Sequence, residues 1–290
     1  MNELPVKVVG FCNQYVQIKY NNSQAESIVN FLCADLHLVP NAEQHTLARA
    51  LCELELSEND HFFSLRRNRE HLYQGRCQRE LAYALINEVI FQCLDKNNSG
   101  LALHAAAVHV DRGGILLPGN SGAGKSTFVA WLTACGCGYL TDELVVLSGD
   151  THRIHPFTRP LTIRSASAEA LAPYVHFKKS EVLTGDSGFM VPHRQLNPVF
   201  TPMQPPLSLI LFPRYKADVP PTLKELTPGM GCLRLMECYV NARNIPGHGI
   251  SELAQLTKKV PMMELTYGSF TGLGALLAET LPEFFRDIFS

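Results

Sequence analysis

The chain has 290 residues, of which 46% are hydrophobic and 18% charged, a composition typical of a globular protein with a substantial core. Its formal net charge is −2, and no cluster of Lys and Arg is large enough to predict a nucleic-acid partner. No run approaches about 18 uninterrupted apolar residues, so no membrane span is expected. Residues 1–9 lack the apolar run of a secretory signal, and the nine cysteines are scattered, so we expect a cytoplasmic protein.

The first half of the chain predicts a small α+β domain over residues 1–98. Alternating polar and apolar residues favour a strand at Tyr15–Tyr20, and a second strand is predicted at His61–Leu65. Apolar residues recur at intervals of three and four over Glu43–Leu54 and Gln78–Leu94, the period of an amphipathic helix. This half contains no chemical motif, and we expect it to recognise a partner or a substrate.

The second half, residues 99–290, begins within a cluster of turn-forming residues at 95–100. Its first apolar segments, Leu101–Val110 and Ile115–Leu117, are predicted to be strands, and a glycine-rich loop follows them. The pattern then predicts a helix at Thr127–Ala134 and, further on, strands at Gly138–Leu140, Leu144–Leu147 and Leu207–Phe212 and helices at Gly231–Val240 and Ser251–Lys259.

Prolines are concentrated between Val191 and Pro228. Proline removes a backbone donor and fixes φ, so prolines at this density oppose regular structure. The tract therefore predicts a long ordered loop or a mobile lid.

The segment Gly119–Ser126 matches the phosphate-binding pattern G-x-x-x-x-G-K-[ST] at every defined position. Glycines let several backbone N–H groups turn towards one anion, and the following helix adds free N–H groups and the positive end of its dipole. Lys125 brings a charge to the β- and γ-phosphates, and the Ser126 hydroxyl is expected to bind Mg²⁺. The sequence predicts that ATP and Mg²⁺ are bound by Gly119, Asn120, Ser121, Gly122, Ala123, Gly124, Lys125, Ser126 and Thr127, with GTP left open.

A Mg²⁺ ion bound to a triphosphate also needs a carboxylate from the end of a neighbouring strand. Asp142 and Glu143 directly follow the predicted strand that starts at Gly138. Two adjacent carboxylates can divide the work, one binding the metal and one accepting a proton from a substrate hydroxyl. The alternative interpretation of Asp142 and Glu143 is an acidic turn that is exposed to solvent and has no chemical role.

Three stretches accompany the loop: His104–Val108, Gly114–Gly119 and Tyr139–Glu143. Together they resemble the core of HPr kinase/phosphorylase and, more closely, the HPr-kinase-related kinases of bacterial genomes. That family shares the fold of phosphoenolpyruvate carboxykinase. The resemblance therefore implies an α/β P-loop kinase domain over residues 99–290, preceded by the smaller α+β domain. It is strong over about Leu101–Leu147, faint beyond, and absent from the first hundred residues.

The resemblance implies a role for each matching residue. His104 falls on the family's active-site His, while Lys125 and Ser126 fall on its loop Lys and its metal-binding Ser. Asp142 is then a metal ligand, and Glu143 is the base that accepts the substrate's proton. Without the resemblance, His104 on an apolar strand would more often be a core histidine with a satisfied ring. Because family members form oligomers, a homo-oligomer is also implied.

The sequence departs from the family in the regions that bear on the substrate. The signature L-E-I-R-G is echoed by Leu161–Arg164, where Thr162 replaces a metal-binding Glu and Arg164 is kept as a candidate phosphate ligand. The family's P-G-R-N segment has only a loose echo at 242–247. Arg214, after a predicted strand, is either a further phosphate ligand or a surface residue. These departures argue against HPr itself as the acceptor and against the reverse phosphorolysis.

Three functions remain open from the sequence. The first is a Mg-ATP-dependent kinase acting on a hydroxyl, a Ser of a peptide or protein. The second is a small-molecule kinase of the same fold, and the third is a nucleotide-binding regulatory module without significant turnover. His104 and Glu143 favour a kinase, because binding alone requires neither a base nor a His beside the γ-phosphate.

Overall fold

A computed structural model describes residues 4–38, 52–149 and 152–289, which form a mixed α/β fold with three sheets. In the N-terminal half, six strands form one sheet in the order β3-β1-β2-β4-β5-β6. These strands are β1 (Val6–Phe11), β2 (Gln14–Tyr20), β3 (His37–Leu38), β4 (Glu53–Asn59), β5 (Phe62–Arg67) and β6 (Glu70–Gly75).

Helices α1 (Ser23–Cys33) and α2 (Gln78–Asp95) pack on this sheet. The first begins where Asn22 caps it, since the Asn22 Oδ1 atom accepts a hydrogen bond of 2.9 Å from the Ala25 N–H. The apolar residues of α1 and α2 recur every three or four positions and are buried, which explains why both segments are helical.

The second half contains an eight-stranded sheet in the order β11-β10-β7-β8-β15-β17-β16, with β9 also paired to β7. Its strands are β7 (Leu101–Val110), β8 (Gly113–Pro118), β9 (Gly138–Thr141), β10 (Leu144–Ser148), β11 (Arg153–Pro156), β15 (Leu207–Tyr215), β16 (Thr222–Glu225) and β17 (Met262–Tyr267). A smaller sheet has the order β12-β14-β13, formed by β12 (Leu161–Arg164), β13 (Leu183–Gly185) and β14 (Gly188–Val191).

The helices of this half are α3 (Lys125–Ala134), α4 (Ser165–Leu171), α5 (Pro228–Glu237), α6 (Ile250–Lys259), α7 (Leu273–Thr280) and α8 (Pro282–Phe289). Strands β8, β15 and β17 are mutually parallel neighbours, whereas β7 is antiparallel to β8. The carboxyl ends of the three parallel strands therefore meet at one edge, which is where ligands bind in open α/β sheets.

The two halves share a hydrophobic core across the boundary predicted at residue 98. Ala102, Leu144 and Val146 of the large sheet belong to the same buried cluster as the N-terminal sheet and helices. Phe11 and Phe157 make an edge-to-face contact across it, with ring centroids 5.2 Å apart. The halves therefore support each other by packing.

Most of the elements predicted from periodicity are confirmed. The helix predicted at Gln78–Leu94 is α2, and the strand predicted at Tyr15–Tyr20 is β2. Of the helix predicted at 43–54, residues 43–51 lie outside the described residues. That prediction is wrong for Glu53 and Leu54, which belong to β4 because they pair in parallel with β2.

Two predictions in the C-terminal region need correction. Within the proline-rich tract, β15 confirms the strand predicted at Leu207–Phe212, whereas strand β16 corrects the expectation of a loop or lid there. The helix predicted at Gly231–Val240 ends at Glu237, because Tyr239 makes an isolated bridge to Leu103 and Val240 donates its N–H to the Ala102 carbonyl at 3.0 Å. None of the helices in the described part of the chain is long and apolar enough to span a membrane.

Candidate functional site

The glycine-rich loop joins the carboxyl end of β8 to the N-terminus of α3. Gly122 and Gly124 have φ angles of +89° and +93°, a backbone region that residues with a Cβ rarely adopt. A Cβ at Gly124 would also lie 2.6 Å from the Tyr267 hydroxyl. The glycines therefore allow the turn that leads directly into the helix N-terminus, where free N–H groups favour an anion.

Lys125 is the first residue of α3 and is 6% exposed. Its ammonium donates to the carbonyls of Gly119, at 2.6 Å, and Asn120, at 3.2 Å. These contacts account for two of its three donors and hold the amine inside the loop. Burial lowers the pKa of Lys125, an effect that the nearby Glu143 and Asp142 oppose.

Asp142 and Glu143 lie at the junction of β9 and β10, which both pair with β7. The Ala105 N–H donates to the Glu143 carbonyl at 3.2 Å, and this pairing sets Glu143 beside His104 of β7. The His104 Nε2 and Glu143 Oε1 atoms are 3.5 Å apart. Three residues from two distant parts of the sequence are thereby brought together.

A fully buried arginine that the sequence did not single out holds the two carboxylates. The Arg159 Nη2 atom lies 2.7 Å from Glu143 Oε2 and 3.2 Å from Asp142 Oδ1, and its Nη1 donates to the Thr162 hydroxyl at 3.1 Å. Asp142 also accepts the Thr162 N–H at 3.0 Å. The site is therefore a network of ion pairs and hydrogen bonds, each group restraining its neighbours.

The segment carrying Arg159 runs beside β9, to which side chains attach it. The Tyr139 hydroxyl donates to the Arg159 carbonyl, and the Thr141 hydroxyl donates to the Phe157 carbonyl, both at 2.8 Å. The Thr158 hydroxyl donates back to the Leu140 carbonyl at 2.9 Å. No motif marks these contacts in the sequence; the only available signal was an Arg two residues before the L-x-I-R echo.

Burial shifts the protonation equilibria of these groups. It raises the pKa of Asp142, while the Arg159 guanidinium opposes that rise. Burial lowers the pKa of His104, and the Lys125 charge adds to the effect while Glu143 opposes it. This shift favours the neutral form of His104, which can accept or donate a hydrogen bond beside Glu143.

The side chains present fit a Mg²⁺ ion. The Asp142 Oδ1 atom is buried and has no well-aligned hydrogen bond among the described residues, because the nearby Arg159 Nη2 points towards Glu143. Ser126 supplies a hydroxyl on the same cavity. Within the described part of the chain, no cluster of three or more Asp, Glu, His or Cys could hold a metal. Mg²⁺ on a triphosphate typically needs only one or two protein carboxylates, with the phosphates and water completing its shell.

One cavity of about 680 Å³ unites most of the residues singled out in the sequence. Those that line it are His104, Ser121, Gly122, Gly124, Lys125, Ser126, Thr127, Asp142, Glu143 and Arg164. Gly119, Asn120 and Ala123 shape the loop from outside the lining. Arg164 reaches across the loop, with its Nη2 atom 3.4 Å from the Ser121 hydroxyl. Arg214 is exposed and does not line the cavity, so the surface interpretation fits it better.

Sequence reasoning missed the aromatic part of this cavity, which includes Tyr174, Tyr215, Tyr267 and Phe270, and one residue of the N-terminal half, Tyr83 of α2. Aromatic residues are usual in a core, so nothing in their local sequence assigns these residues to a site.

Comparison of the sequence with protein-family models finds no matching family, and comparison with curated proteins finds no significant match. The function must therefore be argued from the geometry of the cavity and the chemistry of its side chains.

Proposed function

We propose that this protein is a Mg-ATP-dependent kinase that transfers the γ-phosphoryl group to a hydroxyl, a Ser of a peptide or protein. The observation that supports this most strongly is the convergence, in one cavity, of a complete phosphate-binding loop with two carboxylates and a histidine. Binding of a triphosphate alone would require the loop but not Glu143 and His104.

Each side chain has a defined task in this proposal. The loop N–H groups and Lys125 bind the β- and γ-phosphates, and Arg164 lies within reach of the same anion. Ser126 and Asp142 would hold Mg²⁺, which neutralises charge on the phosphates. Glu143 accepts the proton of the acceptor hydroxyl as that oxygen forms its bond to the γ-phosphorus and the bond to the β,γ-bridging oxygen breaks.

Arg159 and His104 lie beside the two carboxylate oxygens of that base. Arg159 contacts Glu143 Oε2, whereas His104 lies near the other oxygen, Oε1. Arg159 therefore fixes one carboxylate oxygen and leaves the other beside His104, which suits the defined orientation that general-base catalysis requires. Neutral His104 can also donate a hydrogen bond to charge that develops on the transferred group.

One observation favours the regulatory module as a second candidate. The Glu143 Oε2 atom already accepts a hydrogen bond of 2.7 Å from Arg159, so this oxygen is occupied and does not face a substrate hydroxyl. If this pairing persists with ligand bound, the loop could hold ATP while phosphoryl transfer is slow.

Transfer of label from γ-labelled ATP distinguishes the protein kinase, the small-molecule kinase and the regulatory module. The protein is incubated with γ-labelled ATP, Mg²⁺ and cell extract, and the labelled product is identified. A labelled Ser in a protein supports the proposal, and a labelled metabolite supports the small-molecule kinase. Tight ATP binding without any labelled product would support the regulatory module and contradict both kinases.

A further inference from the structure

A group of aromatic side chains lines the cavity beside the phosphate-binding loop. Phe270 is 7% exposed and stacks on Trp131, with centroids 4.8 Å apart and planes 4° from parallel. Phe270 also stacks on Tyr267, with centroids 5.9 Å apart and planes 22° from parallel. Phe289 stacks on Trp131 at 5.1 Å and 12°. Phe270 is thus part of a continuous, packed series of rings, which makes this wall of the cavity rigid.

Two further rings at this wall remain exposed. Tyr174 is 41% exposed and meets Phe270 edge-on at 5.7 Å. Tyr215 is 53% exposed and meets Tyr267 edge-on at 5.9 Å. Both line the cavity. Exposed aromatic rings inside a concave site provide flat apolar surface for a ligand at little cost in conformational entropy.

The same residues are attached to the loop itself. The Tyr267 hydroxyl donates to the Gly124 carbonyl at 3.3 Å, and the Tyr215 N–H donates to the Ala123 carbonyl at 3.2 Å. Helix α4, which precedes Tyr174, is joined to α3 by the hydrogen bond of 2.9 Å between the Thr127 and Ser167 hydroxyls. The aromatic wall therefore has a fixed position relative to the phosphate-binding loop.

The cavity therefore has a charged side and an uncharged aromatic side. His104, Asp142, Glu143 and Arg159 form one connected charged cluster, whereas the wall of Tyr174, Tyr215 and Phe270 carries no charge. A nucleoside triphosphate has a matching asymmetry, because its only large uncharged aromatic surface is the nucleobase. Stacking on aromatic side chains is a common and strong way to bind a base.

We propose that Tyr174, Tyr215 and Phe270 bind the nucleobase, which leaves the charged cluster for the γ-phosphate and the acceptor. This inference rests on the proposed function, since it takes the ligand to be a nucleoside triphosphate. The hydroxyls of Ser269 and Thr271 line the cavity as well and supply polar groups for the edge of the base. Stacking supplies affinity without selecting one base, so adenine and guanine are distinguished at that edge.

The test compares ATP with tripolyphosphate, which has the phosphates but no base. Affinities for both, with Mg²⁺, are measured by calorimetry for the wild type, Tyr174→Ala and Tyr215→Ala. We expect each substitution to weaken ATP binding by about tenfold and to leave tripolyphosphate binding unchanged. Tyr174→Phe, which keeps the ring, should bind ATP like the wild type. So should Phe91→Ala, which removes an exposed ring of α2 away from the cavity.

Three results would overturn the inference while leaving the proposed function intact. The first is that the wild type binds ATP and tripolyphosphate with equal affinity. The second is that both alanine variants keep the wild-type affinity for ATP. The third is that the alanine variants lose affinity for ATP and for tripolyphosphate by the same factor. The last result would mean that the rings support the loop and do not contact a base. A wild type that binds neither ligand would contradict the proposed function itself.

Discussion

The charged and the aromatic sides of the cavity are held in place by different forces. On the charged side, Arg159 and Asp142 are buried and restrained by ion pairs and by hydrogen bonds to Thr162. On the aromatic side, the rings of Tyr174 and Tyr215 are exposed and make edge-on contacts with neighbouring rings. The charged side chains, which would contact the reacting atoms, are thus held in one orientation. The aromatic rings, which would contact the rest of a ligand, provide apolar contact area.

The largest effect should follow from removing the loop's cation. We expect Lys125→Ala to weaken triphosphate binding and to lower turnover by at least about 10²-fold, because Lys125 is the loop's own fixed positive charge. ATP affinity and turnover are measured together, with Lys258→Ala on the exposed face of α6 as the control. Unaltered affinity and turnover in Lys125→Ala would contradict the loop assignment.

The buried arginine tests how the charged side is held. Arg159→Met should lower the free energy of unfolding by about 3 kcal/mol, since it leaves two carboxylates without their buried partner. Urea unfolding measures this change. Arg243→Met removes a comparable ion pair of 2.7 Å at the surface, with Asp95, and should cost less than about 1 kcal/mol. Equal losses in the two variants would show that the cluster is not a buried network.

A substitution of Asp142 tests whether Asp142 binds the metal while Glu143 acts as the base. We expect Asp142→Asn to raise the Mg²⁺ concentration for half-maximal activity by at least about tenfold, because an amide replaces the carboxylate oxygen. Asp186→Asn, at an exposed turn, serves as the control. An unchanged Mg²⁺ titration would mean that Glu143 holds the metal and that the two roles are reversed.

The smallest effect concerns His104 and pH. Burial lowers its pKa below the ordinary 6.5, so the unfolded chain binds a proton more readily than the folded one. The wild type should therefore lose stability as the pH falls from about 7.5 to 5.5, and His104→Gln should lose less. Unfolding midpoints at several pH values check this difference. Equal losses in both proteins would contradict a neutral, desolvated His104.

Sequence reasoning identified the local features of the site and missed those that depend on packing. The loop could be predicted because its glycines and Lys125 lie within one short stretch of sequence that matches a known phosphate-binding pattern. Helix α2 could be predicted because its period is local. Arg159 was missed because its contacts join β9, the junction that follows β9, and β12. The aromatic wall was missed because its rings look like core residues.

The same limit explains the errors in the fold. Glu53 and Leu54 continue a helical pattern, but parallel pairing with β2 makes them a strand. Thr222–Glu225 lies in the proline-rich tract, yet antiparallel pairing with β17 makes it strand β16. In both places a sheet neighbour that is distant in sequence overrode the local signal.

The central claim is that Glu143 performs general-base phosphoryl transfer on bound ATP. Single-turnover transfer of the γ-phosphoryl group is measured for the wild type, Glu143→Gln and the exposed control Glu181→Gln, alongside the ATP affinity of each. We predict that Glu143→Gln lowers transfer by at least about 10²-fold and leaves ATP affinity nearly unchanged, while the control matches the wild type. Equal transfer rates in all three proteins, or tight ATP binding by a wild type that transfers no phosphate, would contradict the claim.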